Sequence, residues 1–188
     1  MRKVFMFVFL FSVSVIAVAG NVFADQFATT DQGMKDMLDG TAATPKQVTL
    51  TPEQIKAVND IFKQTLIVAG KTPLVYTFYT TKDAGTTIIE KQMGKWGIIT
   101  TMLLIGTDGK LKNLEVLSLT EKRGKPIVLR PFLSQFIGKG IDDTIEVGKT
   151  INGVTGATIS SKAMVLTVKR ALAVYNVVIE KNKAEEKK

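Results

Sequence analysis

The segment NGVTGATISSKA, residues 152–163, has the clearest potential for chemistry in the chain. It places the hydroxyls of Thr158 and Ser160 at the start of a long apolar stretch with helical spacing. A helix N-terminus has unpaired N–H groups and a partial positive charge, so it suits a phosphate. Gly153 and Gly156 would allow tight turns and close approach of a ligand. From these residues alone, the segment is either an N-cap supplied by Thr158 or Ser160, or a phosphate-binding site.

The composition excludes several other kinds of chemistry. The chain of 188 residues has no cysteine and no histidine. Disulfides, thiolate metal sites, thioether haem and a Ser-His triad are therefore absent, and no other metal site is indicated. The lysine and spacing of a P-loop are also missing. Redox chemistry in such a chain would need a cofactor.

The N-terminus resembles an export signal. A positive MRK start precedes about 17 apolar residues, and VFA ends at Ala24 with small residues at the cleavage positions. The run is short for a membrane span of about 20 residues. We therefore predict that residues 1–24 are a signal peptide and that the protein is periplasmic or extracellular. A retained segment would make it membrane-associated.

The charge agrees with that location. The chain has a net charge of +8, with 25 basic and 17 acidic residues. In an exported protein this excess indicates acidic partners or phosphates and no nucleic acid.

Patterning predicts one α+β domain over residues 51–181. A lead-in, residues 25–50, precedes it and includes a short helix around Met34 to Leu38, and a disordered charged tail, residues 182–188, follows it. Thr51, Pro52 and Gln54 have the spacing of a capping box that opens a helix.

β-branched and aromatic residues then predict an antiparallel sheet of about four or more strands. The strands are LVYTFYTT, TTIIEK, WGIITTMLLIG and KLKNLEVLSL. The pair Asp108-Gly109 is typical of a tight hairpin turn. A short helix near Pro131 and a long helix over residues 159–180 complete the predicted fold.

The motif GVTGAT before a helix resembles the flavinylation motif of the FMN-binding domain family. Members include flavin-carrying components of the Rnf electron-transport complex and of the sodium-translocating NADH:quinone oxidoreductase. The resemblance implies that an exported flavin transferase joins FMN, through its phosphate, to Thr158. Gly153, Thr155, Gly156 and Ala157 occupy the preceding positions of the motif.

One position departs from the family pattern. Asn152 stands where the family has an aspartate. An asparagine retains hydrogen-bonding capacity but has no charge. If the transferase requires the carboxylate, modification would be slow or absent, and FMN would bind noncovalently.

A second motif extends the resemblance to roughly residues 93–176. In TEKRG, Thr120, Glu121 and Gly124 match the family pattern Thr-Glu-x-x-Gly, and FLSQFIGK resembles the helix that follows. The resemblance places this loop beside the flavin, where a cation such as Lys125 would stabilise a reduced ring. A solvated turn is the alternative interpretation.

Other residues have two interpretations. Trp96 is either a core residue, which its position at a strand start favours, or a stacking partner of the ring. Arg130 could assist the flavin or pair with Asp142 or Asp143. Phe132 and Phe136, four residues apart on a short helix, are expected in the core.

The sequence thus predicts an exported flavoprotein that carries FMN and transfers electrons outside the cytoplasm. Its partners would be a flavin transferase and redox proteins or a membrane electron-transport complex. A flavin-dependent reductase of a small molecule and a non-redox exported binding module are the alternatives.

Overall fold

The computed structural model describes residues 25–67, 74–120 and 125–180, which form an α+β fold. The strands are β1 (Asp25–Gln26), β2 (Thr44–Thr49), β3 (Val75–Thr81), β4 (Gly85–Met93), β5 (Ile98–Ile105) and β6 (Leu111–Leu119). The α-helices are α1 (Thr30–Met37), α2 (Pro52–Ile61), α3 (Arg130–Leu133) and α4 (Thr158–Tyr175). Two 3-10 turns (Lys125–Val128 and Ser134–Phe136) flank α3, and a π turn (Asn176–Glu180) continues α4. The predicted signal peptide and charged tail lie outside the described residues.

The strands form one antiparallel sheet in the order β1-β6-β5-β4-β3-β2. The predicted meander is confirmed as β3 to β6. Both edge strands come from the segment predicted as a lead-in, residues 25–50. Within it, β1 pairs with the end of β6, β2 pairs with β3, and α1 covers the expected short helix. This segment is therefore integral to the sheet.

Side chains alternate between two apolar clusters on opposite faces of the sheet. Leu103 and Ile105 of β5 face the main core, which α2, α3 and α4 cover. Met102 and Leu104 face a smaller cluster beside α1. Phe132 and Phe136 are buried in the main core as predicted, with ring centroids 5.4 Å apart in an edge-to-face arrangement. Among the described helices, none is both long and apolar enough to cross a bilayer.

Local signals in the sequence fix several element ends. Thr51 accepts from the Gln54 backbone N–H at 3.2 Å, and the Gln54 side chain accepts from the Thr51 N–H at 3.0 Å, so the predicted capping box is confirmed. The β5–β6 turn contains Asp108-Gly109, and Gly109 adopts φ +74°. Such a left-handed conformation is readily adopted by glycine.

Helix α4 runs along β5 in roughly the same direction. Thr101 Oγ1 lies 3.7 Å from Met164 Sδ, and the Tyr175 hydroxyl donates to the Gly106 carbonyl at 3.2 Å. The two contacts are equally far apart on both elements. The helix rises about 16 Å from Met164 to Tyr175, and the strand advances about 16 Å from Thr101 to Gly106. Six helical residues before Met164, Thr158 therefore lies about level with the start of β5.

Candidate functional site

Thr158 is the first residue of α4, and its side chain is exposed. The N-cap position falls on Ala157, which has no side chain able to accept a hydrogen bond. The prediction that Thr158 or Ser160 caps the helix is therefore wrong, because both residues lie inside its first turn. Ser160 is buried there, with 1 % exposure. The hydroxyl of Thr158 is thus held at the positive end of α4 without serving as its cap.

The segment before Thr158 is fastened to the helix by Ser161. The Val154 N–H donates to Ser161 Oγ at 3.0 Å, and Ser161 Oγ donates to the Ala157 carbonyl at 3.0 Å. The Ala157 N–H in turn donates to the Val154 carbonyl at 3.0 Å, which closes a tight turn. Thr155 and Gly156 form the exposed tip of this turn, with Gly156 at φ +77°. The turn therefore presents its tip and Thr158 to solvent on a fixed backbone.

A second clamp holds the turn at Asn152. Its backbone N–H donates to Gln135 Oε1 at 2.7 Å, and Gln135 Nε2 donates to the Asn152 carbonyl at 3.3 Å. The next residue, Gly153, packs so closely that a Cβ there would lie 2.9 Å from Val147 Cγ1. Asn152 therefore acts through its backbone, and its side chain is on the exposed side. Sequence reasoning missed Gln135, since a partner 17 residues away leaves no local signal.

An apolar groove of ≈ 240 Å³ lies against this clamp. It is lined by Pro126, Leu129, Phe132, Gln135, Asn152 and Val154. Leu129 beside it and Ile159 next to Thr158 are both about half exposed. Exposed apolar side chains near a phosphate-binding position are suited to a ligand with a flat apolar ring.

Trp96 is 54 % exposed in the turn between β4 and β5, so its favoured assignment to the core is wrong. The turn lies between the last residue of β4, Met93, and the first residue of β5, Ile98. Lys95 Nζ lies 5.2 Å from the centre of the indole ring, a cation–π distance. Gly97 is tightly packed, since a Cβ there would lie 2.6 Å from Thr120 Cβ.

These parts meet at one end of the sheet. Ile98 pairs with Met93 and Ile99 with Leu119, so the Trp96 turn and the end of β6 are adjacent. Thr158 is about level with Ile98, as the alignment of α4 with β5 shows. The structure thus brings Trp96, Thr120 and Thr158 to the same end.

The loop after Thr120 was predicted to lie beside a flavin. Glu121 and Gly124 lie outside the described residues. Lys125, exposed, begins the next described turn. Arg130 pairs with Glu115 at 3.2 Å and donates to Asn113 Oδ1 at 3.1 Å, so its predicted pairing with Asp142 or Asp143 is wrong. Arg130 is thus held against β6, which contains both Asn113 and Glu115.

The site thus combines an exposed threonine at the first residue of α4 with an apolar groove lined by Asn152 and Val154 of the preceding segment. Residues 94–173 match the family model of the FMN-binding domain. The predicted resemblance to that family is confirmed for this part of the chain, and the match supports a flavin-binding function. The match begins at the Trp96 turn and ends within α4, so it includes Lys125 and Thr158. No curated protein matches the chain.

Proposed function

We propose that the protein is an exported flavoprotein that carries FMN in a phosphoester bond to Thr158 and transfers electrons outside the cytoplasm. The observation that carries the proposal is the position of Thr158 inside the FMN-binding domain, exposed, at the first residue of α4. The helix start favours the negative charge that the phosphodiester retains. The bond would join Thr158 Oγ1 to the phosphorus of an FMN group donated by an activated flavin nucleotide; the Thr158 O–H bond and the bond from phosphorus to the donor's leaving group break, so the chain gains FMN less one water.

The surroundings of Thr158 support this attachment. Ala157 and Gly156 add little bulk before it, and the Ser161 bonds hold the turn in place. The groove beside Asn152 and the exposed Trp96 offer apolar and aromatic surface to an isoalloxazine ring. Lys95 beside Trp96, and Lys125 next to the groove residue Pro126, would supply positive charge that stabilises a reduced, anionic ring.

Intact mass tests the covalent bond. The full chain is co-expressed with a flavin transferase, and we expect a gain equal to FMN less one water. Thr158→Ala should lose this gain, whereas Thr155→Ala, which changes another exposed threonine of the same turn, should retain it. An unmodified mass in the unsubstituted protein, or a modified mass in Thr158→Ala, would refute attachment at this residue.

Asn152 permits a second test of the same bond. Asn152→Asp restores the carboxylate of the family pattern while keeping the backbone clamp to Gln135. If the transferase needs that charge, the modified fraction rises in this variant. A fraction that is already complete with Asn152 shows that the amide suffices.

Export and redox function need separate measurements. Secreted protein whose intact mass equals that of a chain beginning at Asp25 would support cleavage after Ala24. Protein found only inside the cell would contradict export. A carrier should be reduced and then reoxidised by a one-electron acceptor in a single turnover. Sustained turnover with one small-molecule substrate would instead support a reductase, and a protein that never binds flavin would fit a non-redox binding module.

A further inference from the structure

Strands β3 and β4 separate along part of their length. Their ladder ends at the pair Phe78↔Ile88, although β3 begins at Val75 and β4 continues to Met93. The outer edge of β3 remains paired with β2, and the outer edge of β4 with β5. The sheet therefore has an internal cleft between two strands that are each held from the other side.

The cleft contains a cavity of ≈ 800 Å³, within the range of small-molecule sites. Its apolar walls include Leu74, Tyr76, Tyr79, Ile89 and Leu166. Polar residues line it almost as extensively, among them Thr77, Lys91, Gln92 and the ion pair of Glu90 and Arg170. A cavity of this size that combines apolar walls with buried polar groups can bind a small organic molecule.

The charged pair leaves one acceptor unused. Arg170 Nε and Nη2 both approach Glu90 Oε2, at 2.8 and 2.7 Å, and Arg170 also donates to Gln92 Oε1 at 2.9 Å and to the Lys91 carbonyl at 2.9 Å. The Glu90 and Arg170 side chains are only 4 % and 13 % exposed. Glu90 Oε1 is buried and has no hydrogen-bond partner within the part of the chain that the structure describes.

An unused carboxylate oxygen in the interior is unfavourable. Burial raises the pKa of Glu90, and the nearby Arg170 only partly offsets that effect. The Tyr76 hydroxyl approaches the Glu90 carboxyl closely enough to lower its pKa as a weak hydrogen-bond donor, but it does not reach full hydrogen-bond geometry, so Oε1 has no partner among the described residues. A donor from a ligand would satisfy this oxygen.

We propose that the cleft between β3 and β4 is a second ligand site, which takes a neutral organic molecule with an apolar part and one hydroxyl or N–H donor for Glu90 Oε1. Arg170 balances the buried Glu90 charge, and Lys91, which also lines the cavity, is exposed, so the interior of the cleft favours a neutral ligand over an ion. Tyr76 and Glu90 line the same cavity. Arg170 is twelve helical residues beyond Thr158, about 18 Å along α4, so this site is separate from the flavin attachment point.

Phenol and toluene form a matched pair of probes, since they share one ring and differ by a hydroxyl in place of a methyl. NMR titration of the isotopically labelled protein with each probe should shift the amides of Tyr76 and Glu90. A hydrogen bond to a charged group predicts that phenol binds at least about tenfold more tightly than toluene. Equal affinities, or shifts confined to other parts of the protein, would overturn the proposal.

Two variants and two control variants make the test independent of folding defects. Leu166→Trp fills the cavity from a half-buried wall position and leaves the charged pair intact, so phenol binding should fall at least tenfold. Glu90→Gln should reduce the preference for phenol over toluene, whereas Glu146→Gln, on an exposed carboxylate, should not. Thr158→Ala should bind phenol normally. Undiminished phenol binding in a folded Leu166→Trp protein would rule out this cleft.

Discussion

The Val154 N–H donates to Ser161 Oγ at 3.0 Å, across seven residues of sequence, and this bond joins the turn before Thr158 to the first turn of α4. Ser161 is fully buried and also donates to the Ala157 carbonyl. One hydroxyl thus sets the position of the backbone on both sides of the turn tip. If FMN is attached at Thr158, its presentation to the transferase depends on this hydroxyl.

Ser161→Ala should therefore impair flavin loading as well as stability. It leaves the Val154 N–H without its acceptor, at an expected cost of about 1–3 kcal/mol in unfolding free energy. Thr167→Val is the matched control, because Thr167 is also buried and donates to a carbonyl four residues earlier in α4. Denaturant unfolding and intact mass after co-expression measure both effects. Equal loading of the two variants would show that the Val154 bond does not position Thr158.

Gly156→Ala should strain the turn tip. Gly156 has φ +77° and open space around its Cα, so the added methyl group acts through backbone conformation alone. The left-handed conformation costs a non-glycine residue roughly 1–2 kcal/mol. Gly148, at φ +86° with equally open surroundings, provides the control. Both alanine variants should lose similar stability, but only Gly156→Ala should slow loading; slowed loading in both would indicate a general folding effect.

Arg170→Met should be strongly destabilising, because it leaves the Glu90 carboxylate buried without its counter-charge. Removing one partner of a buried pair costs about 3–5 kcal/mol. The double variant Arg170→Met with Glu90→Leu should recover much of that loss, since no charge then remains buried. Chemical denaturation of the two single variants and the double variant gives the coupling energy. Additive losses would show that the two side chains do not interact.

Stability should decrease at alkaline pH because of Tyr76. Burial, and then the charge of Glu90, raise the pKa of Tyr76 above its ordinary value of 10.0. Above that ordinary value, the unfolded chain releases the proton and the folded chain keeps it, so unfolding becomes more favourable as pH rises. The slope reaches at most about 1.4 kcal/mol per pH unit for one such group.

Tyr76→Phe should flatten this decline in denaturation curves between about pH 9 and pH 11, a window that spans the ordinary tyrosine pKa. Part of the slope should remain, since burial also raises the pKa of Tyr175. The difference in unfolding free energy between variant and unsubstituted protein near neutral pH serves as the reference, because the hydroxyl is protonated in both states there. An unchanged alkaline slope in Tyr76→Phe would contradict the proposed cause.

Local chemistry made part of this fold predictable. The capping box of Thr51 and Gln54 and the turn at Asp108-Gly109 act over a few residues, and both are present in the structure. The FMN motif identified the family because its spacing is local too. Trp96 was misassigned because hydrophobicity at a strand start does not reveal where the sheet ends.

Contacts between distant residues were not predictable from one sequence. Gln135 meets Asn152 across 17 residues, and Arg170 meets Glu90 across 80. Arg130 had two interpretations, assistance to the flavin or pairing with Asp142 or Asp143, and it pairs instead with Glu115 on β6. Charge signs alone allow many pairings, and only the register of the sheet and the direction of α4 select among them. The β3–β4 cleft was not predictable either, because it exists only where the hydrogen-bonded pairing of β3 with β4 ends, at Phe78 and Ile88.

The lack of a side-chain cap on α4 has a thermodynamic consequence. Helices α1 and α2 are preceded by the N-cap residues Thr29 and Thr51, whose hydroxyls accept backbone N–H groups of the first turn. A side chain of the protein thus caps each of these two helices. Helix α4 begins after Ala157 and has no such contribution from its own cap residue. A phosphate bound at this helix start would supply the hydrogen-bond acceptor that the Ala157 side chain lacks. The order of the first turn of α4 would therefore increase with the fraction of protein that carries the phosphate. The first turn of α4 would then become fully ordered only when the cofactor is attached. Its backbone amides would exchange hydrogen more slowly in the protein with cofactor than in the protein without it.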